Sequence, residues 1–156
     1  MGWSTSNLSG AGVSALIGGS FYGSGQTFTG DTIKAALYGT TPTPNKDDTL
    51  AHNAYNGSGG QWVTGNEISG TGYTAAGQTL SGTSNSEASG TVTVTSTGPS
   101  WTSATLSAVY GTLVYDSTVT NKYAYCWNYF GGSQSVTSGT FTVAWNASGI
   151  FTVTIS

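Results

Sequence analysis

This sequence predicts an all-β fold: an antiparallel β-sandwich or jelly roll of about eight strands, preceded by an extended Gly/Ser-rich arm. Apolar and polar residues alternate with period two over most of residues 61–155, as in strands with one dry face. No segment keeps the 3.6-residue apolar period of a helix. Clusters of Gly, Asn and Ser interrupt the alternating runs at short intervals, which is the chemistry of tight turns.

Residues 1–30 are rich in Gly, Ser, Thr and Asn and carry a few large apolar side chains, Trp3, Leu8, Leu16, Ile17, Phe21 and Tyr22, in no sustained period. Such a segment has nowhere local to bury them. It reads as an arm that either crosses its own domain or lies on a neighbouring subunit, and the second option, with those side chains as an assembly interface, is the one expected. The β domain then spans residues 31–156.

Residues 33–38 read as a strand, ended at Thr41-Pro42-Thr43-Pro44-Asn45, where two prolines stop further ladder pairing. Residues 46–60 follow as a polar loop holding Lys46, Asp47, Asp48 and His52 and closing on Asn56-Gly57-Ser58-Gly59-Gly60. Loops of this length are uncommon unless functional. Asp47, Asp48, His52 and Tyr55, with Trp62 just beyond, are therefore a candidate exposed binding loop. Further strands are expected at 62–68, 73–80, 91–97, 101–116, 122–129, 140–146 and 150–155. Thr91-Val92-Thr93-Val94-Thr95 shows the logic, with valines on one face and threonines on the other. The 101–116 run exceeds an ordinary strand, and Gly111 inside it marks a bulge or bend. Ser-Gly-Thr recurs at Ser69, Ser81, Ser89 and Ser138 without a common spacing, which is turn vocabulary and not a repeat.

Composition then narrows function. Only 6% of residues are charged, the net charge is -3, and there are three Lys and no Arg. Nothing cationic is available to neutralise phosphates, so neither nucleic acid nor an anionic membrane is an expected partner. The 49 Ser and Thr and 24 Gly stand beside 12% aromatic residues, enough to build a core and unlike a disordered chain. Cys126 has no second cysteine to pair with, and with a single His it cannot complete a zinc site; no cofactor is expected. The first twenty or so residues lack the basic and apolar regions of a signal peptide, and no run approaches a membrane span.

Chemistry is scarce. His52 is the one residue of the type that acts as a base near neutral pH, but no G-x-S-x-G elbow presents a serine to it. Glu67 and Glu87 are of the type that cleaves glycosides in pairs, yet no aromatic cleft motif frames them, and Glu67 reads as an acceptor of turn hydrogen bonds. Asn45, Asp47 and Asp48 lack the spacing of a calcium loop. No catalytic or metal site is expected, and the chain does not read as an enzyme. The sequons at Asn7, Asn56 and Asn146 follow from the abundance of Ser and Thr. Trp101, Trp127 and Trp145, embedded in strands, read as core.

One stretch runs Asn66-Glu67-Ile68-Ser69-Gly70-Thr71-Gly72-Tyr73-Thr74, and a second runs Trp101-Thr102-Ser103-Ala104-Thr105 on to Tyr115-Asp116. Together with Phe130-Gly131-Gly132-Ser133 and the final 139–155 segment, they resemble a widespread family of small structural proteins of tailed bacteriophages. In that family an E-(I/V)-S-G-T-G-Y-T turn and strand, a W-x-x-A-T strand ending in a Y-D turn, an F-G-G turn and a last hairpin follow in this order. The resemblance covers about residues 33–155. The Gly-rich arm lies outside it, and an arginine expected after the W-x-x-A-T strand is absent. It implies a virion component made in the host bacterial cytoplasm: a capsid decoration (cement) protein on the shell exterior. The implied partners are the major capsid protein and copies of itself in a homo-oligomer such as a trimer. The alternative it leaves open is a tail or fibre adhesin that binds host-surface glycan.

Overall fold

The computed structural model describes residues 3–9 and 27–154. Its strands are β1 (Asn7–Leu8), β2 (Ile33–Tyr38), β3 (Gln78–Thr79), β4 (Ser81–Ala88), β5 (Thr91–Thr97), β6 (Ser100–Asp116), β7 (Ala124–Thr142) and β8 (Phe151–Thr154). They form two antiparallel sheets, one ordered β1-β7-β6-β2-β3 and the other β4-β5-β8. Among the described residues there is no α-helix, only a 3-10 turn at Thr64–Asn66, and no helix long and apolar enough to cross a membrane.

β2, β5 and β6 stand where apolar patterning places them, because each buries side chains on the sheet it joins. Elsewhere tertiary pairing overrides the pattern. Residues 62–68 form the 3-10 turn and one bridge, Tyr38 to Glu67, in place of a strand. Within 73–80 only Gln78–Thr79 is extended. Gly77, with φ +67, explains the interruption: a Cβ there would stand 1.9 Å from the Ala35 carbonyl oxygen, so the chain crosses β2 too closely for any side chain. β4 has no apolar alternation at all, yet pairs with β5 from Ser84 to Ala88. The expected 122–129 strand from Ala124 on and the first three residues of the expected 140–146 strand belong to one continuous β7, which runs straight through Phe130-Gly131-Gly132-Ser133, while residues 143–146 leave the sheet apart from an isolated bridge at Asn146. Val109 pairs with Gln134 and Gly111 with Tyr129, so residues 130–133 bulge opposite Tyr110 alone.

The core has three parts. Ile33, Ala35, Val114 and Cys126 of the larger sheet pack with Val94 and Ile150 of the smaller sheet's side, together with Phe28. On the opposite face of the larger sheet, Ala36, Tyr38, Leu113, Tyr115, Ala124 and Trp127 pack with Trp3, Tyr55 and Trp62, which come from outside the strands. Leu37, Trp101, Ala104, Leu106, Val109, Phe141 and Val143 fill the far end.

Within residues 3–9, Asn7–Leu8 form a strand of this sheet. Asn7 pairs with Trp127 and Leu8 with Cys126. The Trp3 ring meets Trp62 edge-on at 5.5 Å and stacks on Tyr129 at 6.2 Å, and its Nε1 donates to the Gly39 carbonyl oxygen at 2.7 Å. Gly111 is the counterpart of that placement: a Cβ at 111 would lie 2.7 Å from the Trp3 ring.

Candidate functional site

The sequence-derived interface residues divide. Trp3 is only 2% exposed inside its own domain, which corrects its assignment to contact with another chain: its indole finds a pocket of Trp62, Tyr129 and the Gly39 carbonyl group within the subunit. Leu8 pairs through its backbone. Leu16, Ile17, Phe21 and Tyr22 lie outside the described residues.

The candidate binding loop divides as well. Lys46 and Asp47 form an exposed ion pair at 2.7 Å. Asp48 accepts a bond from the His52 Nδ1 side at 2.8 Å, four residues along, and both remain partly exposed. Tyr55 and Trp62, expected on an exposed loop, are buried instead. The reason is that residues 53–62 form the cover of the larger sheet's second face. The Tyr55 ring stacks on Tyr115 at 4.5 Å, and Trp62 packs on Tyr38 and Trp127 while its Nε1 points at Asn53 Oδ1. Composition made this loop look polar. Its buried members are few, but they are large.

The most organised polar constellation is centred on Glu67. Its Oε1 accepts the Tyr55 hydroxyl at 2.6 Å, its Oε2 accepts the Tyr73 hydroxyl, and both oxygens face the Ala76 N–H at 3.0–3.1 Å. Tyr73 in turn accepts the Leu37 N–H at 2.9 Å, and the Tyr115 hydroxyl donates to the Ala76 carbonyl oxygen at 2.9 Å. Glu67 does accept a backbone hydrogen bond, as its sequence setting suggested, but from nine residues downstream and alongside two phenols. Burial, reinforced by the Glu67 hydrogen bond, pushes the Tyr55 hydroxyl up to about 12. Burial first, and then Glu67, raises Tyr38 and Tyr73 further, and burial followed by Tyr55 raises Tyr115. These phenols therefore stay protonated, and those of Tyr55, Tyr73 and Tyr115 serve as donors. The cluster ties the 64–77 stretch to β2 and β6. The E-x5-Y spacing of Glu67 and Tyr73 was the one local signal for it; nothing local linked either residue to Tyr55 or Tyr115.

A concavity of about 310 Å³ opens beside this cluster, lined by Tyr55, Asn56, Ser58, Asn121, Lys122 and Tyr123 with the backbone around them. No carboxylate is among its lining residues. Lys122, held at φ 49, sets its Nζ 5.7 Å from the Tyr55 ring centroid. That ammonium group and the stacked Tyr115 occupy the two faces of Tyr55, so the ring is not free to stack on a sugar. Amide, hydroxyl and ammonium groups are what the concavity offers a ligand. Among the described residues, no group of three or more His, Cys, Asp or Glu is placed to hold a metal ion.

Comparison of the chain with protein-family models, with curated proteins and with solved structures finds no match.

Proposed function

We propose that this protein is a structural component of a tailed-bacteriophage particle: a capsid decoration protein on a β-sandwich that fastens neighbouring capsid subunits from the outside. One observation supports this reading above the others. The edge strand β4 is exposed along almost its whole length and carries a single charge, Glu87, with no lysine and no proline. Soluble proteins normally guard such edges, because free N–H and C=O groups invite pairing. Here, among the described residues, the guards are Glu87 and the register shift between Ser81 and Ser84. A neutral, small-residue edge is suited to repeated contact with identical or lattice-related neighbours, since crowded copies do not repel one another. Its partners in this reading are the major capsid protein and copies of itself, and no catalytic step is involved. Binding the assembled shell in preference to loose subunits stabilises the shell by mass action. The test compares coated particles with particles stripped of the protein: coated particles are expected to release DNA at higher temperature, and coincident melting curves sink the reading.

The concavity at Lys122 favours a second reading, a tail or fibre module that binds host-surface glycan through its amide, hydroxyl and ammonium groups. Saturable binding of the protein to host polysaccharide, lost in Lys122→Ala, would favour this reading over the first.

A further inference from the structure

Where β2 begins and β6 ends, Ile33 stands opposite Asp116. The chain on either side of that pair is closely laced. Ser117 gives both its N–H (2.9 Å) and its hydroxyl (2.7 Å) to the Thr32 carbonyl oxygen, and the Thr32 N–H donates to Thr118 Oγ1 at 2.7 Å. This lacing brings the side chain of Asp31 against that of Asp116.

Asp116 is fully buried. Its Oδ1 is satisfied by the N–H groups of Thr118 at 2.8 Å and Val119 at 3.4 Å, the turn that closes β6. Its Oδ2 is not, and neither is Asp31 Oδ2: both oxygens are sealed from solvent and meet no hydrogen-bond donor. Two carboxylates in contact cannot both stay ionised where water does not reach them, so something positive has to stand between them. A calcium ion asks for roughly six to eight oxygens, and no third acidic group joins this pair among the described residues. A proton needs no cavity, and it converts one orphan acceptor into a donor for the other.

We propose that the buried Asp116 carboxyl keeps its proton in the folded protein in mild acid and donates it to Asp31, a carboxyl–carboxylate hydrogen bond that fastens the start of β2 to the end of β6 and is released as pH rises. The groups around Asp116 fit this. From the β2 side it faces Asp31; from its own turn it meets backbone N–H groups; and across on the Tyr123 side its N–H donates to the Tyr123 carbonyl oxygen. Of the lysines on adjacent elements, Lys34 stands in register with Tyr115, and Lys122 sets its Nζ over the Tyr55 ring. Burial, and next to it the charge and hydrogen bond of Asp31, raise the Asp116 carboxyl, against the pull of the Thr118 and Val119 N–H groups. A carboxyl raised by folding stabilises fully below its unfolded value, and that stabilisation is lost as pH climbs through the folded value. Folding is therefore tightest in mild acid.

The experiment is thermal unfolding of the full chain from about pH 5.5 to about pH 8.5, a range in which ordinary carboxylates stay ionised. Wild type, Asp31→Asn and Asp116→Asn are compared with and without calcium. Wild type is expected to lose several degrees of Tm as pH rises. In either variant the amide N–H takes the place of the shared proton, so the slope should flatten. A wild-type Tm independent of pH, or an unchanged slope in both variants, overturns the proposal. So does a calcium-induced rise in Tm confined to wild type, which would make the pair a cation site. Infrared spectra of wild type decide the matter even if neither variant folds: with only six Asp and Glu in the chain, a protonated-carboxyl C=O band at about pH 5.5, where ordinary carboxylates are ionised, that fades on alkalinisation supports the shared proton, and its absence refutes it.

Discussion

The β6–β7 ribbon passes through two surroundings and behaves differently in each. In its inner half, Gly111 to Val114 pair with Tyr129 to Cys126 in unbroken register, between β2 on one side and β1 on the other. Both faces are covered there, by the inter-sheet cluster and by the Trp3–Tyr55–Trp62 layer. In its outer half the register shifts between Trp101 and Ala104, again before Leu106 and again before Val109, and Ser103, Ala108 and Ser138 adopt left-handed φ of 51, 54 and 50. A one-residue slip inverts every side chain. Where both faces are buried that is prohibitive, and where one face meets water a bulge is tolerated. Bulges also blunt the outer edge of β7, which β1 reaches only at Cys126 and Trp127.

Matched truncations break this comparison most forcefully. Leu113 and Leu106 are both fully buried on β6, one in each half. Leu113→Ala is expected to cost about 4 kcal/mol and Leu106→Ala about 3 kcal/mol, because the outer half collapses more readily around a cavity. Denaturant unfolding of the two variants measures it, and equal or reversed costs would remove the distinction between the halves. Glycine substitutions sharpen the contrast. At Gly111 a Cβ would stand 2.6 Å from the Asn128 carbonyl oxygen and 2.7 Å from the Trp3 ring, whereas at Gly139 its one close neighbour is a Val136 methyl at 2.9 Å, with the Thr137 carbonyl oxygen at an ordinary 3.7 Å. Gly111→Ala should therefore cost about 2 kcal/mol, and Gly139→Ala clearly less. The smallest effect has the opposite sign: Ser138→Gly relieves a left-handed serine and should stabilise by about 0.5 kcal/mol, whereas Ser→Gly at a right-handed site destabilises.

Much of the inner half was legible. The Ala35-Ala36-Leu37-Tyr38 and Leu113-Val114-Tyr115 runs are continuous and apolar, as strands buried on both faces must be. What covers the second face was not legible, because period two reports that a face is dry without saying what dries it. The cover comes from residues 53–62 and from Trp3, segments whose Gly, Asn and Ser content reads as solvent-exposed. Likewise, β4 owes its extended form to pairing with β5, since the Ser81–Ala88 side chains carry no apolar period to impose it.

The proton-sharing pair and the Glu67 cluster were hidden for a related reason. Asp31 and Asp116 are far apart in the chain, and each alone reads as an ordinary turn carboxylate; only the β2–β6 register brings them together. Glu67 and Tyr73 are close in sequence, but Tyr55 and Tyr115 reach the same cluster from a covering loop and a central strand. By itself the sequence determined what depends on neighbours along the chain: an all-β class, extended runs at β2, β5 and β6, and a nearly charge-free surface. The tertiary structure alone decided which loop seals the sheet, which glycines let aromatic rings pass, and which carboxyl groups face each other, because those outcomes depend on close approach between residues whose separation along the chain leaves no local trace.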